Sequence, residues 1–222
     1  SHDDLYVPEK IQSQIDILAT QANPENTILY SDYGLFTRSI RDSELVCLPT
    51  VPPEDFRYWL TISSVLHGCT LLVPKVIFEN VGRFDPRLKH TQDYSLWFQF
   101  ASVARFVHVP KVLVHGRQHP EQDSKKKPKE AFAECNALYI HCLHQLREDE
   151  LFRGTGLPLA SAYAKTAIAQ LRRGYGRAAW DALKLSAKHW QTISYREFKY
   201  IVKATLRLLG DCVGLRLFQV KR

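Results

Sequence analysis

Apolar residues recur along this chain in two rhythms, and the change from one to the other divides it near residue 124. Before that point, short β-branched or aromatic runs alternate with stretches of helical period; beyond it only the helical rhythm remains. Ile11, Ile15 and Leu18 recur at i, i+4 and i+7 behind Pro8, a residue suited to a first turn, which predicts a helix over roughly 8–21 with an apolar side. Thr27 to Tyr33 is β-branched and aromatic between Asn23-Pro24 and Gly34, a strand pattern. Residues 41–53 hold three prolines and little periodicity and read as a loop. A helix is predicted over 54–66, a short buried strand over 69–73, and a short helix from Pro74 to Val81 closed by Gly82. Thr91 is placed to cap a helix over 92–104 whose apolar side holds Leu96, Trp97, Phe100 and Ala101. Two strands, 105–109 and 112–115, flank Pro110. Strands alternating with helices predict an α/β layer architecture.

The run Lys125-Lys126-Lys127-Pro128-Lys129 reads as a solvated linker, followed by predicted helices at 129–150, 159–173, 177–189 and 194–209. Ala164, Ala167 and Leu171, then Ala178, Ala182 and Leu183, give one pair the small-residue packing of a helical hairpin. Charge follows the same division. Residues 1–124 carry 11 Lys and Arg against 15 Asp and Glu, net −4, while residues 125–222 carry 19 against 8, net +11. The reading is an α/β domain over 1–124 and a basic all-α extension over 125–222.

The total of 222 residues, 45% hydrophobic, suits one large domain or one domain with an appendage. No segment approaches the ~20 consecutive apolar residues of a membrane-spanning helix, and no basic-then-apolar export signal opens the sequence. The five cysteines, at 47, 69, 135, 142 and 212, are odd in number, scattered and without a C-x-x-C pair, which argues against both a disulfide framework and a structural zinc site and fits reduced thiols in a cytoplasm. The absence of Met, even at position 1, suggests something other than a complete translation product.

Six blocks of this sequence resemble, in order, the second half of a family 2 glycosyltransferase of the GT-A fold. They are Ser1 to Ile11, Tyr30-Ser31-Asp32-Tyr33, His67-Gly68-Cys69-Thr70-Leu71-Leu72-Val73-Pro74, Val81-Gly82-Arg83-Phe84-Asp85, Thr91-Gln92-Asp93-Tyr94-Ser95-Leu96-Trp97 and Gly116 to Ser124. The match covers about residues 1–124 and starts inside the family's acidic motif. The resemblance therefore implies a fragment lacking the N-terminal βαβ unit that binds the nucleotide, and poor activity in isolation.

Transfer of a sugar from a nucleotide donor needs a stabilised diphosphate and a base for the acceptor hydroxyl. The resemblance assigns Asp3 to a divalent cation, Mn²⁺ or Mg²⁺, with Ser1 standing where the family has a first acid. Asp4 is given a capping or orienting part; helix capping would also account for both acids. Asp93, preceded by Gln92 where the family has Glu, is implied as the catalytic base of an inverting displacement. An Asp in a first helical turn would equally complement the helix dipole. His119 is implied as a metal or phosphate ligand, and Arg117 and Gln122 as donor-binding residues. His67 and Gly68 fall where the acceptor cleft begins, Gly68 allowing a sugar close to the backbone, with Cys69 a small buried hydrophobe. The implied partners are a nucleotide sugar and a carbohydrate or lipid-linked acceptor in cytoplasmic polysaccharide or glycoconjugate synthesis. In the extension, Tyr200, Ile201, Ala204, Leu208 and Leu209 share a helix with Lys199, Lys203 and Arg207, a pattern compatible with a packed subdomain or with peripheral contact to an anionic membrane. No nucleic-acid-binding motif is present. The competing class is a non-catalytic helical module carrying a degenerate transferase remnant, favoured by Ser1 and Gln92.

Overall fold

The computed structural model describes residues 4–119, 128–189 and, beyond these, residues 198, 199, 202, 203 and 206. The chain divides into two compact units, 1–131 and 132–222.

The first unit is mixed α/β, built on a four-stranded sheet. In chain order its elements are β1 (Leu5–Tyr6), α1 (Lys10–Ala19), β2 (Thr27–Phe36), β3 (Glu44–Val46), α2 (Phe56–Ile62), α3 (Lys75–Val81), α4 (Gln92–Phe100) and β4 (Arg105–Arg117). The sheet order is β1-β4-β2-β3; β2 and β4 are parallel, and the two outer pairings are antiparallel. All but one residue of β2 is buried, the pattern of a central strand covered on both faces. Leu29, Val109 and Leu113 form a core cluster joined by Val7, Ile17, Leu18 and Leu72. Phe56 of α2 stacks on Phe106 of β4 with ring centroids 4.1 Å apart.

Several elements differ from the sequence pattern. Pro110 does not divide two strands: β4 runs through it. Ser31 pairs with Val109 and Asp32 with Val112, so Pro110 and Lys111 bulge outward, where the missing proline N–H costs no ladder bond. Leu72 makes only an isolated bridge to Leu29, and Gly68–Thr70 is a 3₁₀ turn in place of the expected strand. Helix α1 is turned over relative to its apolar spacing. Ile11 and Ile15 are about half exposed, while Lys10 and Gln14 are buried. The inversion is tolerated because the buried groups are satisfied. Lys10 Nζ donates to Gln14 Oε1 (2.7 Å) and lies 4.5 Å from the centre of the Tyr6 ring, and Gln14 Nε2 donates to the Thr70 carbonyl (2.8 Å).

Gly34 of β2 lies under His115, whose Nδ1 is 3.0 Å from Ser43 Oγ. A Cβ at position 34 would stand 2.6 Å from that Nδ1 and 3.1 Å from Ser43 Cβ. Gly34→Ala is expected to destabilise this unit by about 1–3 kcal/mol, read as a lower denaturant midpoint at unchanged slope.

The second unit is helical among its described residues: α5 (Pro128–Gln145), α6 (Glu148–Thr155), α7 (Leu159–Arg172) and α8 (Gly176–Lys188). The single helix expected over 129–150 breaks at 146–147. There Glu150 accepts a 2.8 Å bond from the Arg147 N–H, and Glu148, Asp149 and Glu150 crowd the new N-terminus, where the helix dipole favours negative charge. Ala160, Ala164, Ala167, Ala178, Ala179 and Ala182 are all buried, letting α7 and α8 approach closely. The buried Ser186 hydroxyl donates to the Ala160 carbonyl between them (2.7 Å). Of the helix expected over 194–209, the described residues 198, 199, 202, 203 and 206 are helical. Tyr200, Ile201, Ala204, Arg207, Leu208 and Leu209 lie outside the described residues, as does Cys212. Cys47, Cys69, Cys135 and Cys142 are thiols rather than disulfides.

Candidate functional site

The parallel strands β2 and β4 finish side by side, Leu35 beside Gly116 and Phe36 beside Arg117. At that end a cleft of about 1300 Å³ opens. The carboxyl ends of parallel strands are where open α/β sheets receive ligands, since loops diverge there and leave a crevice.

Much of the cleft lining is polar. Asp4 precedes β1, and His67, Gly68 and Cys69 come from the 3₁₀ turn after α2. Gln92 and Asp93 open α4, while Arg117, Gln118 and His119 close β4. Aromatic rings also line it, Phe78, Phe84, Trp97 and Phe100. His67, Gly68, Gln92, Asp93, Arg117 and His119, all singled out in the sequence, thus face one space although they come from three separate stretches of chain. Asp3 and Gln122, to which the resemblance assigned metal and donor roles, lie outside the described residues.

Each position has a local cause. The side chain of Asp93 folds back to accept the Tyr94 N–H (3.0 Å) at the α4 N-terminus. Burial nevertheless raises its pKa above the ordinary carboxylate range, against that bond and the attraction of His67. Tyr94 Oη accepts the Leu66 N–H (2.9 Å), tying α4 to the segment that carries His67. Burial lowers the His67 pKa, opposed by the nearby negative charges of Asp4 and Asp93, which favours neutral imidazole at pH 7. The guanidinium of Arg117 lies 4.7 Å from the centre of the Phe36 ring, and the Gln118 N–H donates to the Phe36 carbonyl (2.7 Å); together these fix the exit from β4.

Two sequence expectations change. Helix α1 begins at Lys10, and no side chain caps its N-terminus, so Asp4 does not act as its cap. Asp4 spans the cleft wall instead: Oδ1 accepts the Arg117 N–H (3.2 Å) and Oδ2 accepts the Cys69 thiol (2.9 Å). Cys69, expected as an inert hydrophobe, is half-buried and polar in its contacts; burial and then its bond to Asp4 raise its pKa. Gly68 lines the cleft with Trp97 close on its Cβ side, since a Cβ there would stand 3.1 Å from the indole. Sequence reasoning missed the joining of Asp4, His67 and Cys69, whose potential ligand atoms all lie within 4.8 Å of one another. The i, i+2 spacing of His67 and Cys69 was the available signal; their separations of 63 and 65 residues from Asp4 left none.

The gathered donors are one carboxylate oxygen, one imidazole nitrogen and one sulphur. A hard cation such as Mg²⁺ takes oxygen ligands, so this group does not suit Mg²⁺; the ion that the resemblance implied was assigned to Asp3 and His119 instead, of which Asp3 lies outside the described residues.

No family model matches the chain. Curated relatives do match. It is 38% identical over 162 residues to an uncharacterized glycosyltransferase of Rickettsia bellii, 37% over 161 residues to one of Rickettsia conorii, and 35% over 159 residues to one of Rickettsia typhi. The similarity is to glycosyltransferases. It extends over 70%, 71% and 68% of this chain but only 23%, 26% and 48% of those three glycosyltransferases, so the chain spans between about a quarter and a half of the relatives it matches.

Proposed function

We propose that the α/β unit is the acceptor-side part of an inverting, family 2 glycosyltransferase of GT-A type, taking a sugar from a nucleotide donor to a hydroxyl of a carbohydrate or lipid-linked acceptor in polysaccharide or glycoconjugate synthesis. The observation that carries this reading is the placement of Asp93, a desolvated carboxylate at a helix N-terminus, in the same cleft as Arg117 and His119. Asp93 takes the acceptor proton as the oxygen attacks the anomeric carbon; the bond to the diphosphate breaks on the opposite face, and the configuration inverts. Arg117 offers a fork matched to phosphate oxygens, and His119 a second donor beside it. Gln92 and His67 present polar groups to the acceptor. The family's Mn²⁺ or Mg²⁺, expected through Asp3 and His119, would neutralise charge on the leaving diphosphate; no step here is routed through it.

The test is a transfer screen of the complete gene product against a panel of nucleotide sugars with Mn²⁺. Release of nucleotide diphosphate, dependent on acceptor, is expected. His119→Ala is expected to raise donor KM about tenfold with little change in kcat, the loss of one charge-assisted bond. Absence of release with every donor would favour the non-catalytic module. No helix among the described residues is long and apolar enough to cross a membrane. Peripheral attachment of the basic unit to the cytoplasmic face belongs to the same proposal. Sedimentation with vesicles should then depend on anionic lipid, and indifference to lipid charge would remove that attachment.

A further inference from the structure

We propose that Asp4, His67 and Cys69 form a binding site for a borderline divalent cation of the zinc class. One oxygen, one imidazole nitrogen and one sulphur are a ligand set that such ions prefer and that Mg²⁺ does not. Three protein ligands also leave a tetrahedral ion one open position, and all three residues line the cleft.

The geometry is close to that required. Metal–ligand bonds of about 2.0–2.3 Å place tetrahedral ligands roughly 3.3–3.8 Å apart. The present ligand atoms lie within 4.8 Å of one another, with Cys69 Sγ 2.9 Å from Asp4 Oδ2. Side-chain rotations of about 1 Å close the longer gaps and open the short one. A second feature is the close approach at Gly116. A Cβ there would stand 3.1 Å from His67 Nε2, 3.4 Å from Leu35 Cδ2 and 3.5 Å from Asp4 Oδ1, so the glycine leaves only the narrow gap in which two of the three ligands sit against β4. On binding, the thiol proton now donated to Asp4 leaves to solvent, the His67 ring proton passes from Nε2 to Nδ1 at the expense of the bond that Nδ1 accepts from the Cys69 N–H (3.3 Å), and the thiolate sulphur, the carboxylate and Nε2 turn to the ion.

This site stands or falls apart from sugar transfer, because its test reads binding alone. Purified chain, reduced and anaerobic, is titrated with Co²⁺ as a spectroscopic substitute for Zn²⁺, and with Zn²⁺ by calorimetry. One equivalent is expected to bind with a thiolate-to-cobalt charge-transfer band in the near ultraviolet. Cys69→Ser should abolish the band, and Gly116→Ala should weaken Zn²⁺ binding at least about tenfold by filling the gap, each with the melting profile checked for an intact fold. If Gly116→Ala fails to fold, His67→Gln, with the same expected loss, replaces it. A wild-type complex without the band, a band that survives in Cys69→Ser, or unaltered Zn²⁺ affinity in the folded second variant would each overturn the assignment.

Discussion

Asp93→Asn is expected to cut turnover by about 10²–10⁴-fold, the usual contribution of a positioned general base, while leaving donor affinity nearly intact and raising thermal stability near neutral pH. The first effect follows from chemistry: the amide is nearly isosteric and keeps an oxygen to accept the Tyr94 N–H, but it cannot take a proton. The second follows from linkage. Burial raises the folded-state pKa of Asp93 above its unfolded value, so the protonated carboxyl is the form the folded protein prefers. The stability this preference contributes is fully present below the unfolded pKa and is lost as pH rises through the raised folded value. Above that value the wild type carries the cost of a desolvated charge, which the neutral amide does not. The melting temperatures of the two proteins should therefore converge in acid and separate, with the variant higher, toward pH 7. Turnover within a few-fold of wild type would remove Asp93 from the mechanism. A variant less stable at pH 7 would instead show that the α4 dipole and His67 outweigh burial. A site that stores instability for function in this way is a common trade-off.

How far the sequence disclosed this arrangement depended on the range of the interaction. Elements set by local chemistry were legible: β2 from its β-branched and aromatic run, α3 from Pro74 at its start and Gly82 at its end, where φ is +116°. The alanine-rich hairpin of α7 and α8 was legible because small residues at helical spacing have few other uses. The facing of α1 was not, because apolar spacing predicts burial only when no polar set competes. Lys10 and Gln14 compete successfully through Tyr6 and Thr70, a residue far along the chain. Helix α5 ends where Glu150 caps its successor, a feature masked by continuous helical period. The cleft residues were legible through family resemblance as separate blocks. Their grouping with Asp4 and the polar behaviour of Cys69 arise from β1 pairing with β4, a long-range contact with no local signature.

Removing the carboxylate of Asp32 should be the most damaging single change outside the cleft, at about 3–5 kcal/mol, seen as a drop of roughly 10–20 °C in the melting of the first unit. Asp32 sits at the β2 bulge, nearly inaccessible, and its Oδ1 accepts both the Leu48 N–H (2.7 Å) and the His108 Nε2–H (2.8 Å). A carboxylate only accepts, so Nε2 holds its proton, and in neutral imidazole His108 Nδ1 is left to accept from Thr50 Oγ1 (2.8 Å). Tyr30 stacks on the same imidazole with centroids 5.0 Å apart, and its hydroxyl donates to the Pro49 carbonyl (2.9 Å) and accepts the Val51 N–H (3.3 Å). Residues 48–51 are thereby pinned one after another to the sheet through Asp32, His108 and Tyr30. Asp32→Ala strands two buried donors at once and loosens the segment that leads into α2, whereas Asp32→Asn retains one acceptor and should cost less. If the network acts as a unit, the double variant Asp32→Ala/His108→Ala will lose less stability than the two single changes added together. Additive losses would mean that Asp32 and His108 hold this segment independently, each through its own backbone or hydroxyl partner.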